Sequence, residues 1–342
     1  MDWFERLTGF REGEYAATRA RLSVEDRHLR SLENGRRWAI GTLELISLAE
    51  LRARARDVAV PGRLTLGIVE GDVRQMHSYP SNAGALFQVA SQFNLLEMAG
   101  PGISPEDGVT RYEDDPTQGP AFALAAGAGT IWRNYFVPVA GGVGQTRDRQ
   151  LDGLADLGRA LSAALGVPEA SIWRMQNGYA LPSAESLARI GRHLHAQTEH
   201  ERDRLRGLVR VGLHLDVEVT DRNRPGQIVS QVYCSALPVA YGVGPASLWA
   251  ELAVLVLEAA YEATLLAGLL NAARGASNRV LLTRLGGGAF GNLDDWIDAG
   301  MLRTLWLVRN HALAVEIVSY RTPSRDLRRL VAGFGEQARP EA

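Results

Sequence analysis

A glycine-rich turn between an apolar segment and a helical segment is the feature of this sequence that most restricts its fold. Residues 278–300 read NRVLLTRLGGGAFGNLDDWIDAG. The apolar run RVLLTRL predicts a buried strand, and Asn292 followed by Asp294 and Asp295 predicts the start of a helix. Adjacent glycines cost conformational entropy on folding, so this turn indicates that either another backbone or a ligand approaches closely.

The order of the predicted elements indicates an α/β fold. From about residue 208 onward, the sequence predicts strand, strand, helix, strand, helix and strand in succession. Two earlier strands are expected in GRLTLGIVEGDV and GALFQVASQFNLL, followed by a helix in GPAFALAAGAGTIWRNYFVPV. We therefore expect a mixed β-sheet flanked by helices.

The spacing of apolar and polar residues divides the chain into an N-terminal extension and a main domain. Residues 1–57 have helical spacing with many arginines and predict an N-terminal helical extension. Residues 58–342 are expected to form the main domain. Amphipathic patterns within about 146–207 predict a helical insertion in that domain.

The composition argues against two classes of partner. The formal net charge of -2 does not favour a protein that binds nucleic acid by neutralising phosphates. The longest apolar run begins at Ala246 and is interrupted by Glu251, Glu258 and Glu262. Because carboxylates are costly in a bilayer, this run predicts a buried helix and no membrane span.

The single cysteine, Cys234, excludes an internal disulfide and fits a reducing compartment. The N-terminal stretch MDWFERLTGFREGEY has no apolar signal core. These features predict a cytoplasmic protein, or a secreted effector without a cleavable signal peptide. The histidines show no HExxH spacing, and one cysteine does not support a zinc cluster, so neither a metal nor another cofactor is expected.

The glycine loop could hold a diphosphate. Ligands bind beyond the carboxyl ends of strands in open sheets, and glycines let amide N–H groups approach phosphate oxygens. The Lys and Ser/Thr of a Walker loop are absent, and the loop lies far from the N-terminal position of a dinucleotide fingerprint. Asp294 and Asp295 would repel a phosphate at the helix start, so it would lie against the amides of residues 286–291. A tight turn with close helix–strand packing is the alternative explanation.

A second stretch reads GDVRQMHSYPSNAGALFQVASQFNLLEMAG. Together with the late LGGGAFGN loop, it resembles the macrodomain superfamily. The resemblance implies that Asp72 of the GD turn, with Val73 beside it, recognises adenine. It implies that polar residues of FQVASQFN hold the distal ribose, namely Gln88, Ser91, Gln92 and Asn94. The late loop would wrap the pyrophosphate, with Phe290 against the distal ribose. The residues of that loop are Gly286, Gly287, Gly288, Ala289, Phe290, Gly291 and Asn292.

A narrower resemblance is to divergent macrodomain hydrolases of the MavL type, which remove ADP-ribose from arginine on ubiquitin. It depends on five segments in order, ALFQVASQFNLLE, TQGPA, RNY, CSALPVAY and LGGGAFGN, within about residues 60–320. It implies a hydrolase that releases ADP-ribose from a protein side chain. Arginine is the expected side chain, and ubiquitin is one candidate substrate.

An acidic loop, GISPEDGVTRYEDDPTQGPA, follows the ribose-side strand. Hydrolysis of a ribosyl bond needs a positioned water and a group that donates a proton or stabilises positive charge, and carboxylates serve both needs. By resemblance to poly(ADP-ribose) glycohydrolases, which carry catalytic acids on the corresponding loop, Asp107 and Asp115 are the expected catalytic acids. Asp114 is the next candidate, and Gln118 could bind the ribose or a water. A solvated loop without catalytic function is the alternative.

Aromatic residues outside these motifs offer further contacts. Tyr241 could pack on adenine or belong to the core. The segment SIWRMQNGY, with Trp173 and Tyr179, could cover the ligand or simply form a turn.

Two other functions remain compatible with the sequence. A non-catalytic reader of ADP-ribose would need the glycine loop and Asp72 but not the acidic loop. A structural or partner-binding protein would use the glycines for packing alone. An NAD-dependent oxidoreductase is disfavoured because no early βα glycine fingerprint is present.

Overall fold

A seven-stranded sheet lies at the centre of the molecule. The computed structural model describes residues 1–221 and 226–337. The helices are α1 (Trp3–Thr8), α2 (Tyr15–Ala20), α3 (Leu48–Ala55), α4 (Val73–Met76), α5 (Gln118–Ala125), α6 (Gly127–Tyr135), α7 (Ala155–Leu165), α8 (Ala184–Ala196), α9 (Glu199–Arg206), α10 (Ala246–Ala273), α11 (Asp294–Val308) and α12 (Arg325–Gln337). The strands are β1 (Leu22–Glu25), β2 (His28–Ser31), β3 (Arg37–Ala39), β4 (Thr42–Ser47), β5 (Thr65–Glu70), β6 (Leu86–Ala90), β7 (Pro138–Val139), β8 (Gly142–Val143), β9 (Arg174–Gln176), β10 (Tyr179–Leu181), β11 (Arg210–Glu218), β12 (Ile228–Cys234), β13 (Arg279–Leu282) and β14 (Ala314–Ser319).

Parallel strands of the central sheet end at one common edge. The order of the strands is β4-β11-β12-β6-β13-β14-β5. Pairing is parallel from β12 through β6, β13 and β14 to β5, whereas β11 pairs antiparallel with both β12 and β4. The predicted class, a mixed sheet flanked by helices, is confirmed. The carboxyl ends of the parallel strands form the edge at which open sheets bind ligands.

Alternate side chains of β6 pack against opposite helical layers. Leu86 is buried in the cluster that contains residues of α8, α10 and α11. Phe87 is buried in a separate cluster with residues of α4 and α5. Burial on both faces explains the continuous apolar run of this strand, since parallel strands are covered by helices on each side.

The long apolar run forms the core helix α10, as predicted. Among the described residues it is the one helix long and apolar enough to cross a membrane, and 83% of its apolar window is buried inside the protein. Its glutamates form ion pairs with the surrounding helices: Glu251 with Arg202, Glu258 with Arg206, and Glu262 with Arg52 and Arg303. Breaking one partner of a buried ion pair is costly, so these pairs hold α3, α9 and α11 against α10.

The N-terminal extension is only partly helical, contrary to the prediction for residues 1–57. Its helices are α1, α2 and α3, and four strands lie between α2 and α3. β1 and β2 are joined by a turn in which Asp26 (φ 48°) and Arg27 (φ 57°) both have left-handed backbone conformations. This is the type I′ geometry of a tight hairpin, formed here without the Asn-Gly pair that usually signals it. β4 then joins the main sheet beside β11.

The insertion at about 146–207 contains α7, α8 and α9, together with the hairpin of β9 and β10. The hairpin turns at Asn177 (φ 48°) and Gly178 (φ 79°). Gly178 packs closely on the segment that follows β6, because a Cβ there would lie 2.7 Å from Gln92 Cβ. The insertion therefore reaches the carboxyl edge of the sheet.

Candidate functional site

A cleft of about 440 Å³ opens at the carboxyl edge of the central sheet. It is lined by the loops that follow β6, β12, β13 and β14, by the first turn of α5 and by the insertion hairpin. Of the site residues predicted from the sequence, the lining includes Ser91, Gln92, Asp115, Gln118, Gly286, Gly287, Gly288, Ala289 and Phe290. It does not include Asp72, Val73, Gln88, Asn94, Asp107, Asp114, Gly291 or Asn292.

Two glycines of the late loop are required by the backbone and by packing. Gly286 and Gly291 have φ angles of 75° and 70°, in the left-handed region that favours glycine. A Cβ at Gly286 would also lie 2.5 Å from Ala236 Cβ. Asn292 is buried behind this turn and donates from Nδ2 to the Leu237 carbonyl at 2.8 Å. The tight-turn explanation therefore applies to these positions, and Asn292 supports the loop without lining the cleft.

Gly288 has no such structural requirement. Its φ is not left-handed, and a Cβ there would meet no atom within 4 Å. Within residues 1–221 and 226–337, the amide N–H groups of Gly288, Ala289 and Phe290 have no hydrogen-bond acceptor. Consecutive free amides in a glycine loop are well suited to phosphate oxygens.

A cation compensates the acids that follow the glycine loop. Arg284 lines the cleft and pairs with Asp294 Oδ1 at 2.6 Å and with Asp298 Oδ1 at 2.5 Å. Because the positive charge of Arg284 offsets part of their negative charge, the acids at the start of α11 repel an anion in the loop less strongly.

Glu97 is a buried carboxyl group in the cleft wall that the sequence analysis did not select. The residue is 3% exposed, and its Oε1 has no hydrogen-bond partner among the described residues. Burial raises the pKa of Glu97 well above its usual range; the positive charge of Arg133 opposes this shift, and the negative charge of Asp115 adds to it. Burial therefore favours the neutral form of this carboxyl group, which carries a proton that it can donate.

Two neighbouring elements hold Glu97. Its backbone N–H donates to the Tyr112 hydroxyl at 2.9 Å. Tyr112 lies in a short 3-10 helix (Thr110–Asp114) of the acidic loop and is fully buried. The first turn of α5 closes over the carboxyl group at Gly119. Glu97 is thus positioned by the acidic loop and by the helix that follows it.

Of the acids in the acidic loop, Asp115 is the one that lines the cleft. Its Oδ1 accepts the Thr117 N–H at 2.8 Å, at the start of α5. Gln118 lines the cleft beside it and has a buried Oε1 without a partner in the described ranges. Asp114 is exposed and lies outside the lining. The end of the cleft beside β6 and α5 therefore contains one buried acid, Glu97, and one accessible acid, Asp115, while Asp294 lines the cleft beside Arg284 at the glycine loop.

Asp107 is directed into its own loop and away from the cleft. Its Oδ2 accepts the N–H and the hydroxyl of Ser104, both at 2.8 Å, in a capping box. These hydrogen bonds lower the pKa of Asp107, which is the opposite of what a proton donor at neutral pH requires. The structure thus places Asp107 in a stabilising role, where the sequence predicted a catalytic one.

Two of the four polar residues predicted on the ribose side line the cleft, Ser91 and Gln92. Gln92 is braced by the main chain of Met98, with its Oε1 2.6 Å from the Met98 N–H. Gln88 is fully buried inside β6, and Asn94 Nδ2 donates into the insertion. Strand geometry explains the difference, because residues before the end of a buried strand face the helical layers.

At the β5 end, the aromatic ring of Tyr320 lines the cleft, and the carboxylate of Asp72 lies outside the lining. Asp72 follows β5, and its Oδ1 caps α4 by accepting a backbone N–H at 2.9 Å, while Val73 is fully buried. β5 and β14 pair in parallel register up to Ser319, so Asp72 and Tyr320 follow adjacent strand ends. Tyr320 lines the cleft and is 56% exposed. An exposed ring is a surface on which a base can stack.

Three aromatic rings form the opposite wall. Tyr179, Tyr241 and Phe290 have ring centroids 5.3 to 5.8 Å apart, and all three line the cleft. Tyr179 is 1% exposed, and its hydroxyl donates to the Met98 carbonyl at 2.7 Å. The hairpin that carries Tyr179 is therefore packed into the site wall, while Trp173 of the same segment belongs to the core.

Two cleft residues, Glu97 and Tyr320, were not selected as site candidates from the sequence, although Glu97 is the last residue of the segment ALFQVASQFNLLE. Glu97 is an acid inside the otherwise apolar stretch NLLEMA, where an ionised group would be costly to bury. Tyr320 follows the last predicted strand, and ligands bind beyond such strand ends. Neither signal requires a motif. The described ranges hold no group of His, Cys, Asp or Glu that could bind a metal ion.

The chain matches no protein-family model and no curated protein sequence. Solved structures that resemble it are poly(ADP-ribose) glycohydrolases. A variant from Deinococcus radiodurans in complex with ADP-ribose has a TM-score of 0.42 at 11% identity, covering 86% of this chain and 94% of that chain. A second structure of that enzyme with ADP-ribose has a TM-score of 0.41 at 11% identity, covering 96% and 98%. The enzyme from Thermomonospora curvata, bound to the inhibitor ADP-HPD, has a TM-score of 0.39 at 13% identity, covering 93% and 94%.

Proposed function

We propose that this chain binds ADP-ribose in the carboxyl-edge cleft and hydrolyses the bond between its distal ribose and a protein side chain. The observation that carries the proposal is the presence of Glu97 in the same cleft as the free amides of the glycine loop. A buried carboxyl group without a partner costs stability. A site that only bound a nucleotide would gain nothing from that cost, whereas a hydrolase needs a proton donor.

The order of the strands supports one orientation of the ligand. Asp72 and Tyr320 follow β5 and β14, the free amides follow β13, and Glu97 comes after β6. Adjacent strands are about 4.8 Å apart, so β5 and β6 are separated by roughly 14 Å. Adenine would lie at the β5 end, the diphosphate against the glycine loop, and the distal ribose beside Glu97, Ser91 and Gln92.

Glu97 and Asp115 suit the two halves of the reaction. As the bond from the anomeric carbon to the leaving nitrogen breaks, Glu97 donates its proton to that nitrogen. Asp115 orients a water molecule and accepts its proton as the new carbon–oxygen bond forms. The negative charge of Asp115 also stabilises the positive charge that develops on the ribose. The products are free ADP-ribose and the unmodified side chain.

Arginine is the side chain that the charge of the site favours. Three acids of the loop are engaged by protein groups: Glu106 by the Arg147 N–H, Asp107 by Ser104, and Glu113 by Trp3 and Arg6. Asp114 is exposed, and Asp115 faces the cleft. The carboxylate of Asp115 in the cleft and that of Asp114 on the neighbouring surface would attract a guanidinium group. Arginine-linked ADP-ribose is therefore the proposed substrate, with modified ubiquitin as the first protein to examine.

The proposal is tested by combining calorimetry with an assay of ADP-ribose release. Proteins carrying ADP-ribose on arginine, on serine or on glutamate, and poly(ADP-ribose), would be incubated with the protein and free ADP-ribose quantified. Release from the arginine-linked substrate above the others is expected. Binding of ADP-ribose without release from any substrate would leave a reader, and absence of binding would leave a structural function for the glycine loop.

A further inference from the structure

Glu12, a residue of the N-terminal segment, contacts the acidic loop directly, although the two are far apart in the sequence. Glu12 lies between α1 and α2, and its Oε1 accepts the Val109 N–H at 2.9 Å. Its Oε2 accepts the Thr110 N–H at 2.6 Å. The Tyr135 hydroxyl donates to Oε1 at 2.7 Å. Three donors from the main domain therefore converge on one carboxylate of the extension.

These hydrogen bonds cap the 3-10 helix that contacts Glu97 through Tyr112 and is directly followed by Asp115. Val109, the residue before the helix, has no side-chain oxygen, so the first amides lack a local cap. Glu12 supplies that cap from a distant part of the chain. Tyr112, at the centre of the same helix, accepts the Glu97 N–H, and Asp115 directly follows the helix. One short element thus connects Glu12 to both acids.

A glycine in the acidic loop, Gly108, leaves space for the carboxylate of Glu12. Gly108 has a φ of 79°, and a Cβ there would lie 2.5 Å from Glu12 Oε2. The extension also holds the far end of the same helix, because the Trp3 N–H donates to Glu113 Oε2 at 3.0 Å and Arg6 pairs with Glu113. The loop that carries Asp115 is therefore held at both ends by residues of the N-terminal segment.

We infer that Glu12 is a positioning residue for hydrolysis: by capping the 3-10 helix, it sets the positions of Glu97 and Asp115 in the cleft. This inference rests on the proposed function of the site. Glu12 does not line the cleft, so it acts on the ligand only through Tyr112 and Asp115. The adenine and diphosphate contacts belong to β5, β13 and β14, which Glu12 does not touch.

The test compares Glu12→Ala and Glu12→Gln with the matched control Glu14→Ala. Glu14 caps α2 with both carboxylate oxygens and lies two residues away on the same segment, but it does not contact the acidic loop. Glu12→Ala should lower kcat by about tenfold to 100-fold, because small displacements of catalytic groups have effects of this size. Glu12→Gln keeps one acceptor oxygen and should lose less. KM and the Kd for ADP-ribose should not change, and Glu14→Ala should match the wild type.

A second measurement does not depend on activity. Amide hydrogen exchange should accelerate in the region 108–119 of both Glu12 variants and remain unchanged there in Glu14→Ala. Tyr112→Phe removes the acceptor of the Glu97 N–H, and its effect on kcat should not add to that of Glu12→Ala, since both loosen the same connection.

The outcomes separate the inference from the proposed function. Absence of hydrolysis by the wild type would overturn the proposed function, while faster exchange confined to the region 108–119 would still support the positioning by Glu12. Unchanged exchange and unchanged kcat in Glu12→Ala would overturn the inference in an active enzyme. A parallel loss of kcat, ADP-ribose affinity and melting temperature would also overturn it, because Glu12 would then stabilise the whole fold.

Discussion

Gly119 lies so close to Glu97 that a Cβ at this glycine would be 2.8 Å from Glu97 Oε2. The same Cβ would be 2.5 Å from the Ala90 carbonyl oxygen at the end of β6. The first turn of α5 therefore packs directly over the carboxyl group. This packing contributes to the burial of Glu97, and burial raises the pKa of the group and favours its protonated form.

The first prediction is that Glu97→Gln separates binding from hydrolysis. Glutamine has nearly the same shape but cannot donate a proton to a leaving group as an acid does. Hydrolysis should fall by roughly 100-fold or more, the usual contribution of a positioned general acid. The Kd for ADP-ribose, measured by calorimetry, should stay near the wild-type value. Wild-type kcat in this variant would exclude Glu97 as the proton donor.

The second prediction is that the same substitution stabilises the protein at alkaline pH. An unfolded chain loses the glutamate proton near a pKa of about 4.3, whereas the pKa of Glu97 in the folded protein lies well above that. Between the two values the folded state binds more protons, so the free energy of unfolding falls as pH rises, by at most about 1.4 kcal/mol per pH unit. Glu97→Gln should remove this fall.

Denaturant unfolding at several pH values checks this prediction, with Asp114→Asn as the control at an exposed acid of the same region. The free energy of unfolding of Glu97→Gln should exceed that of the wild type increasingly as pH rises. A constant difference between the two proteins across the pH range would show that Glu97 does not titrate with a raised pKa.

The glycine loop of the cleft could be predicted from the sequence, whereas the burial of Glu97 could not. A strand, several glycines and a helix start are neighbours in the chain, and local pattern is enough to recognise them. The burial of Glu97 depends on Gly119 and Tyr112, which reach it only after the acidic loop has folded back. Long-range packing of this kind leaves no periodic signal.

Both Asp107 and Asp115 were selected from the sequence, although local chemistry distinguishes them. Ser104 precedes Asp107 by three residues, and this spacing forms a capping box that occupies the Asp107 carboxylate. Asp115 follows the 3-10 helix and has no such partner upstream. The helical prediction for the extension was wrong where β2 forms, because a strand of four residues is too short for its alternating burial to be recognised in the sequence.

The third prediction contrasts Asp115→Asn with Asp107→Ala. Asp115→Asn should lower kcat by roughly 100-fold while the fold is retained, because Asp115 faces the cleft. Asp107→Ala should lower the free energy of unfolding by about 1 kcal/mol, the usual effect of losing a cap, with little change in kcat. Both quantities are measured by steady-state kinetics and denaturant unfolding.

The third prediction also gives the direction in which the pH dependence of activity should shift in Asp115→Asn. The negative charge of Asp115 contributes to the raised pKa of Glu97, so its removal should lower that pKa. The alkaline limb of the residual activity in Asp115→Asn should therefore move to lower pH. A limb that moves to higher pH, or a loss of activity in Asp107→Ala as large as in Asp115→Asn, would contradict the roles given to these two acids.

The fourth prediction concerns the end of the cleft at which we propose that adenine binds. Tyr320→Ala should weaken ADP-ribose binding by about 1–3 kcal/mol, the usual value of one base stacked on an aromatic ring. Asp72→Asn should weaken it by a similar amount, about 1–3 kcal/mol, because a charged acceptor is lost, while asparagine can still cap α4. Calorimetry with ADP-ribose and with ribose 5-phosphate measures both effects.

The control for the fourth prediction is Tyr79→Ala, which removes another exposed tyrosine from outside the cleft. Binding of ribose 5-phosphate, which lacks the base, should not change in any of these variants. If Tyr320→Ala weakens both ligands equally, the adenine does not lie at this end of the site.

The fifth prediction tests the glycine loop at the one position where a side chain meets no protein atom. Gly286 and Gly291 are unsuitable because both have left-handed φ angles, and a Cβ at Gly287 would lie 3.0 Å from Ile297 Cδ1. Gly288→Val should therefore fold normally, yet its side chain would cover the free amides of the loop. Loss of one hydrogen bond to a charged phosphate oxygen weakens binding by about 1.5–3 kcal/mol, and we expect a loss of at least that size for ADP-ribose.

Gly191→Val, at a second glycine whose Cβ would meet no atom within 4 Å, is the matched control and should bind as the wild type does. Calorimetry with ADP-ribose and thermal unfolding of both variants check the prediction. If Gly288→Val keeps both its melting temperature and its affinity, the diphosphate does not lie on this loop, and the free amides of residues 288–290 have another purpose.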